Sequence, residues 1–186
     1  MLVLASASPR RQELLRNAGI EFVVDPAHIP EAPREGEEAQ AYAERLAREK
    51  ARAVFQRRNA DVVLGADTVV IVDHTILEKP RDADDAARML QQLSGRQHLV
   101  TTGVCLMGAE FEDVRSETTK VAMNGISEEE IRQYVAGGEP MDKAGAYAIQ
   151  GMASRWIPRI DGDYSNVVGL PVALVYRMLN EHGLIR

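Results

Sequence analysis

The run Val62-Val63-Leu64-Gly65-Ala66-Asp67-Thr68-Val69-Val70-Ile71-Val72 is the most hydrophobic strand-like stretch of the chain, and a carboxylate and a hydroxyl interrupt its middle. A run this apolar belongs inside a sheet covered by other elements. An ionised carboxylate taken out of water costs several kcal/mol unless a cation or hydrogen-bond donors face it. Asp67 therefore predicts a metal, a lysine or a cluster of donors opposite it. Gly65 and Ala66, just before it, predict room for the bulk of a ligand. The competing reading is a bulge at a sheet edge, where Asp67 caps a turn.

Two lysines are the natural cationic partners. Ala39, Tyr42, Ala43, Leu46, Ala47, Lys50 and Val54 recur at helical spacing, which sets Lys50 on an apolar stripe. A lone lysine there usually snorkels, its stem on the core and its ammonium in water, so a partner is needed to give it a role. Lys79 lies in Glu78-Lys79-Pro80, where the proline imposes an extended or turn conformation at the end of the strand system.

At the start of the chain, Leu2-Val3-Leu4-Ala5 runs into Ser6-Ala7-Ser8-Pro9-Arg10-Arg11. Ser8 suits a helix N-cap and Pro9 the first helical position, with Gly19 as the stop. Free amides and the positive end of the helix dipole then face the same point as Arg10 and Arg11, the makings of an anion site. An ordinary capped helix with solvated arginines fits the same residues.

Strand-like runs at Leu2 to Ala5, Asp61 to Asp73, His98 to Met107 and Val114 to Met123 alternate with helical patterns, the mark of an α/β protein around one large sheet. Asp82 to Leu93 reads as an amphipathic helix. Ser127-Glu128-Glu129-Glu130 opens another with a capping box that Gly137-Gly138 closes, and Pro171 starts a last one, Val172 to Glu181, with Ala173, Leu174 and Met178 facing inward. With 186 residues, 45% of them hydrophobic, the chain can bury one sizeable core, so a single domain over 1-186 with a cleft is expected.

A formal net charge of −6 disfavours stable nucleic-acid binding, which needs a basic surface. The one cysteine, Cys105, sits in an apolar run and reads as a buried structural thiol in a reducing, cytoplasmic compartment. No apolar stretch approaches the ~20 residues of a membrane span.

The proline-rich stretch from Asp25 to Gly36 reads as a functional or mobile loop. Asp142-Lys143-Ala144-Gly145-Ala146-Tyr147-Ala148-Ile149-Gln150-Gly151 is too rich in small residues for an ordinary helix and predicts close backbone approach. Gln150 has an amide edge that donates and accepts as a pyrimidine requires, or else it caps a strand end. Asp161-Gly162-Asp163-Tyr164-Ser165-Asn166 reads first as a turn and second as a source of metal or substrate contacts. His28, His74, His98 and His182 have no metal-ligand spacing and read as surface or structural residues.

Taken in order, Leu4-Ala5-Ser6-Ala7-Ser8-Pro9-Arg10-Arg11, Leu46-Ala47-Arg48-Glu49-Lys50-Ala51, Gly65-Ala66-Asp67-Thr68-Val69-Val70, Lys79-Pro80, Leu93-Ser94-Gly95-Arg96, Asp142 to Tyr147, Ile149-Gln150-Gly151 and Asp161-Gly162-Asp163-Tyr164 resemble the Maf family of nucleoside triphosphate pyrophosphatases over essentially the whole chain. The resemblance implies an elongated, twisted mixed β-sheet flanked by helices, with two lobes and a central substrate cleft. It also implies a divalent cation, Mg²⁺ or Mn²⁺, and cleavage between the α- and β-phosphates of a nucleoside triphosphate. In this reading Asp67 is the proton acceptor and Lys50 and Lys79 stabilise developing charge, while Ser8, Arg10 and Arg11 hold phosphate. Glu31 is a second metal ligand beside Asp67, and Thr68 and Gln150 read the base. Arg10, Thr68 and Gln150 match the subgroup acting on dTTP and UTP rather than the one acting on 7-methyl-GTP. A homodimer is a family-level expectation. The rivals are a nucleotide-sensing, septum-related binding protein without turnover and a pyrophosphatase for purine triphosphates such as ITP.

Overall fold

Residues Val62–Val72 form β3, an unbroken strand of a seven-stranded mixed sheet. The computed structural model describes residues 1–58 and 61–185, and Arg186, the last residue of the expected domain, lies outside them. The other elements are β1 (Leu2–Leu4), α1 (Pro9–Asn17), β2 (Val23–Val24), α2 (Ala39–Arg58), β4 (Thr75–Leu77), α3 (Ala83–Leu93), β5 (Gln97–Gly108), β6 (Phe111–Ala122), α4 (Glu128–Ala136), β7 (Arg159–Asp161), α5 (Tyr164–Val168) and α6 (Val172–Glu181). Short 3-10 turns cover Glu139–Asp142, Ala144–Ala146 and Met152–Trp156. The strand order is β2-β1-β3-β5-β6-β7, with β4 folding back antiparallel on β3. β1 pairs parallel with both β2 and β3, and β6 antiparallel with β7. β3 pairs with β1 over Val62–Leu64 and with β4 over Val70–Val72, and Asp67 lies between the two in a strand that runs on without a break, so it does not cap a turn.

The chain divides into two compact units, the first comprising Met1–Thr68, Thr102–Glu117 and Gly169–Arg186, the second Val69–Thr101 and Thr118–Val168. In the first unit the sheet is covered on both faces. Leu4, Leu64 and Leu106 pack with Leu15 of α1 and with Leu174, Val175, Met178 and Leu179 of α6. Val3, Val63 and Cys105 point the other way, onto Ala47, Ala51 and Val54 of α2. The two-residue period of a strand thus fills two cores at once. Burial pushes the Cys105 thiol up to about 12, as suits a structural cysteine. Ala173, expected to face inward, is exposed, and Val175 and Leu179 take the inward stripe.

The helix α2 lies close to the sheet because both surfaces are stripped of bulk. A Cβ on Gly65 would fall 2.1 Å from the Ala47 carbonyl oxygen, and one on Gly103 2.4 Å from that of Ala43. The space at Gly65 is therefore filled by helix backbone and not held open for a ligand, which corrects the expectation from sequence.

In the second unit, Asp82 caps α3 by accepting from the Asp85 amide, and Ser127 and Glu130 form the expected capping box of α4. His98 is buried and shares a 2.7 Å hydrogen bond with the Tyr147 hydroxyl, and desolvation lowers its pKa to about 4, so it is a neutral structural histidine. Asp163 accepts from the amides of Ser165 and Asn166, the turn role expected for that segment.

A Gly65→Ala substitution should cost about 1–3 kcal/mol of stability through overpacking against α2. Gly125→Ala, whose Cβ meets nothing within 4 Å, should stay within about 0.5 kcal/mol of wild type. Urea denaturation of the two variants checks this, and equal midpoints would contradict the packing described.

Candidate active site

Alternation along β3 sends Asp67 to the face covered by α2 and its neighbour Thr68 to the face covered by α1. Asp67 meets Lys50, which the Ala43, Ala47, Ala51 stripe of α2 carries to the same level of the sheet. The Lys50 ammonium donates to Asp67 Oδ1 at 2.6 Å, and both side chains are about nine-tenths buried. The same ammonium lies 2.8 Å from Glu31 Oε1, on the loop before α2. Lys50 does not snorkel: it bridges two carboxylates. Burial raises the pKa of Asp67, Lys50 and Arg11 pull it back, and the charge of Glu31 adds to the rise.

That loop is anchored, which is how an irregular segment can place Glu31. Asp25 accepts from Arg57 and Arg58 at the end of α2, and Glu37 is held by Arg45 at 2.6 Å. These arginines keep both carboxyls at about 2, well below the usual range.

On the opposite face, Ser8 caps α1, its Oγ accepting from the Arg11 amide, with Pro9 next and Arg10 following. The Arg11 side chain does not lie in solvent. Nε donates to the Gly169 carbonyl at 2.8 Å, Nη1 to Ser6 Oγ at 3.2 Å and to the Ala66 carbonyl at 2.9 Å, and Nη2 to Thr68 Oγ1 at 3.1 Å. Ser6 Oγ also accepts from the Ser8 amide at 3.2 Å. Thr68 Oγ1 further contacts Thr102 Oγ1 at 2.9 Å and Gly169 O at 3.3 Å, which uses the hydroxyl's one proton and two lone pairs. Sequence spacing singled out Arg11 and Thr68 but not Ser6, Thr102 or Gly169. Their only local signal is a second serine two residues before the cap.

The first unit thus gathers Ser8, Arg10, Arg11, Glu31, Lys50, Asp67 and Thr68. Lys79 and Gln150 belong to the second. Lys79 is exposed between Glu78, whose carbonyl accepts from the Gly145 amide at 3.1 Å, and the buried Pro80. Gly145 has φ +68° and is pressed against Val70, the close approach foreseen for the 142–151 segment. Gln150 is exposed on a turn whose next residue, Gly151, leaves no room for a Cβ beside the Glu139 carboxylate. Glu139 accepts from Tyr134 Oη at 2.7 Å and from the Met152 amide at 3.3 Å, so the Gln150 turn rests on a fixed base.

No group of three or more His, Cys, Asp or Glu side chains able to hold a metal occurs among the described residues. Asp67 and Glu31 nevertheless present two hard carboxylate donors around one point, the set that Mg²⁺ or Mn²⁺ uses when water and substrate phosphates supply the other ligands. An ion bound by both would share them with the Lys50 ammonium.

The sequence pattern of the Maf-like protein family matches residues 1–182. The chain is 59% identical over 184 residues to a dTTP/UTP pyrophosphatase of Koribacter versatilis, covering 99% of this chain and 95% of that one. It is 51% identical to a dTTP/UTP pyrophosphatase of Symbiobacterium thermophilum, over 98% of this chain and 94% of that one. Among solved structures, a nucleoside-triphosphatase / dITP/XTP pyrophosphatase from Mycobacterium abscessus is similar at TM-score 0.48 and 17% identity, over 99% and 98% of the two chains, a likeness too distant to bear on substrate.

The carboxyl of Asp67 should titrate above the usual carboxylate range, and in Lys50→Met, which removes the facing cation, higher still. Carbon-13 NMR of the side-chain carboxyl against pH reads both values. An Asp67 pKa that falls or stays put in Lys50→Met would contradict the arrangement.

Proposed function

The chain belongs to the Maf-like protein family, and from that premise we propose that it hydrolyses dTTP and UTP to the nucleoside monophosphate and pyrophosphate. The observation that carries the reading is the carboxylate of Asp67, buried in the interior of a strand and held at 2.6 Å by Lys50. A carboxyl raised by burial and poised against a cation is a group suited to taking a proton from water.

Breaking the anhydride requires a water in line with the α-phosphorus and relief of the charge that collects on the leaving pyrophosphate. Asp67 accepts the water's proton as its oxygen bonds to phosphorus and the bond to the bridging oxygen breaks. Lys50 offsets the repulsion between Asp67, Glu31 and an incoming polyphosphate. Ser8, Arg10 and the N-terminal turn of α1 bind phosphate oxygens. Thr68, its hydroxyl already engaged, contributes to base discrimination through its methyl group. Lys79 and Gln150 keep the roles that the family resemblance gives them, charge stabilisation through an ammonium and recognition of a pyrimidine through a primary amide. A divalent cation held by Asp67 and Glu31 supplies Lewis-acid polarisation of phosphate oxygens when bound.

The same reading includes a cytoplasmic enzyme, a homodimer and a role in clearing nucleotides that should not reach polymerases. It includes no stable nucleic-acid partner, in line with the net charge of −6. No helix among the described residues is long and apolar enough to cross a membrane.

Release of pyrophosphate and monophosphate from dTTP, UTP, CTP, dATP, GTP, ITP and 7-methyl-GTP, with Mg²⁺ or Mn²⁺, tests the proposal. Wild type should turn over dTTP and UTP in preference to the others, and Asp67→Asn should lose about 10²–10⁴-fold in kcat while remaining folded by circular dichroism. Nucleotide binding without release by wild type would favour a sensor instead, and preference for ITP a purine enzyme.

A further inference from the structure

We propose that Arg11 is a positioning residue, which registers the Ser6–Arg10 turn against the catalytic strand, rather than a ligand of the substrate's phosphates. The proposal rests on the pyrophosphatase reading, in which that turn holds phosphate and Asp67 takes the proton.

Four hydrogen bonds of one guanidinium end on groups that flank the site on both sides. Two of them, to the Ala66 carbonyl at 2.9 Å and Thr68 Oγ1 at 3.1 Å, grip the residues immediately before and after Asp67. A third, to Ser6 Oγ at 3.2 Å, reaches the hydroxyl that also accepts the Ser8 amide, and so pins the turn leading into α1. The fourth, to Gly169 O at 2.8 Å, fixes the residue that precedes the Leu170-Pro171 entry to α6. Arg11 itself is the third residue of α1, so one side chain joins the helix start, the strand centre and the α6 entry. A guanidinium has five N–H groups in a rigid plane, and with this many partners inside the protein it is poorly placed to form the two-pronged contact by which an arginine recognises a phosphate.

Its effect on the reaction is geometric. The backbone on either side of Asp67 is held in place from the α1 face while the side chain works on the α2 face. A displacement of about 1 Å between a reacting group and its target lowers rates by about 100-fold without a matching loss of binding. Lysine retains the charge but has no planar fork, so it cannot make the four contacts together.

Steady-state kinetics with dTTP, and calorimetric binding of inorganic tripolyphosphate, distinguish the two roles. Arg11→Lys should lower kcat by about 100-fold with KM and tripolyphosphate affinity within about threefold of wild type. Ser6→Ala, which removes one of the four acceptors while leaving Ser8 and Arg10, the side chains assigned to phosphate, in place, should lower kcat in the same pattern by about tenfold, and it carries the test if Arg11→Lys does not fold. Ethylguanidinium added to Arg11→Gly should restore part of kcat. A rise in KM and loss of tripolyphosphate affinity with kcat preserved would overturn the proposal and make Arg11 a phosphate ligand; unchanged kinetics in both variants would overturn it and leave Arg11 with neither role. Absence of turnover in wild type would instead defeat the pyrophosphatase reading itself.

Discussion

The burial of Asp67 in the middle of β3 is the constraint on which the site depends. A carboxylate there requires a cation at contact distance, and Lys50 supplies it at 2.6 Å from a helix that can come close only because Gly65, Gly103, Ala43, Ala47 and Ala51 carry almost no side chain. Removing one partner of such a pair leaves a charge buried and unmatched, at a cost of about 3–5 kcal/mol. The small residues, the lysine on an apolar stripe and the interrupted strand are thus consequences of one electrostatic demand. Glu31 extends it, since a second carboxylate lies 2.8 Å from the same ammonium.

The two faces of the strand divide the labour. Asp67 and its cation lie against α2, whereas Thr68 and Ala66 are tied to α1 through Arg11. Asp67 and Lys50 sit on regular elements, and on the other face Arg11 ties β3 to the turn at Ser6 and to Gly169. Residues on regular elements hold position more precisely than loops do. The one loop residue in the cluster, Glu31, has its loop clamped by Asp25 to Arg57 and Arg58 and by Glu37 to Arg45.

Much of this was legible in the sequence because it is local. The cap at Ser8, the capping box at Ser127, the bounds of α3 and α6 and the place of Lys50 on an apolar stripe all follow from spacing within a few residues, whereas the stripe alone favours a snorkelling Lys50 and its burial depends on Asp67. Long-range facts were not. Gly65 looked like room for a ligand, and the helix that fills it comes from residues 18 positions earlier, Ala47. Arg11 looked like a free cation, yet its partners lie as far along the chain as Gly169. Nothing in a sequence pattern distinguishes an arginine aimed at solvent from one aimed at a carbonyl 158 residues away. Ala173 failed for a milder reason: a small residue on a helix fits either face, and its neighbours Leu174 and Val175 decided the rotation. The order of the strands, with β1 between β2 and β3, also lies outside what local pattern encodes.

If Asp67 directs water to the α-phosphorus, pyrophosphate departs as one piece. Hydrolysis of dTTP in water enriched in oxygen-18, with mass analysis of the products, tests it most directly. The label is expected on the monophosphate and not on pyrophosphate. Label in pyrophosphate would place the attack on the β-phosphorus, and label in released orthophosphate on the γ-phosphorus; either result would contradict it.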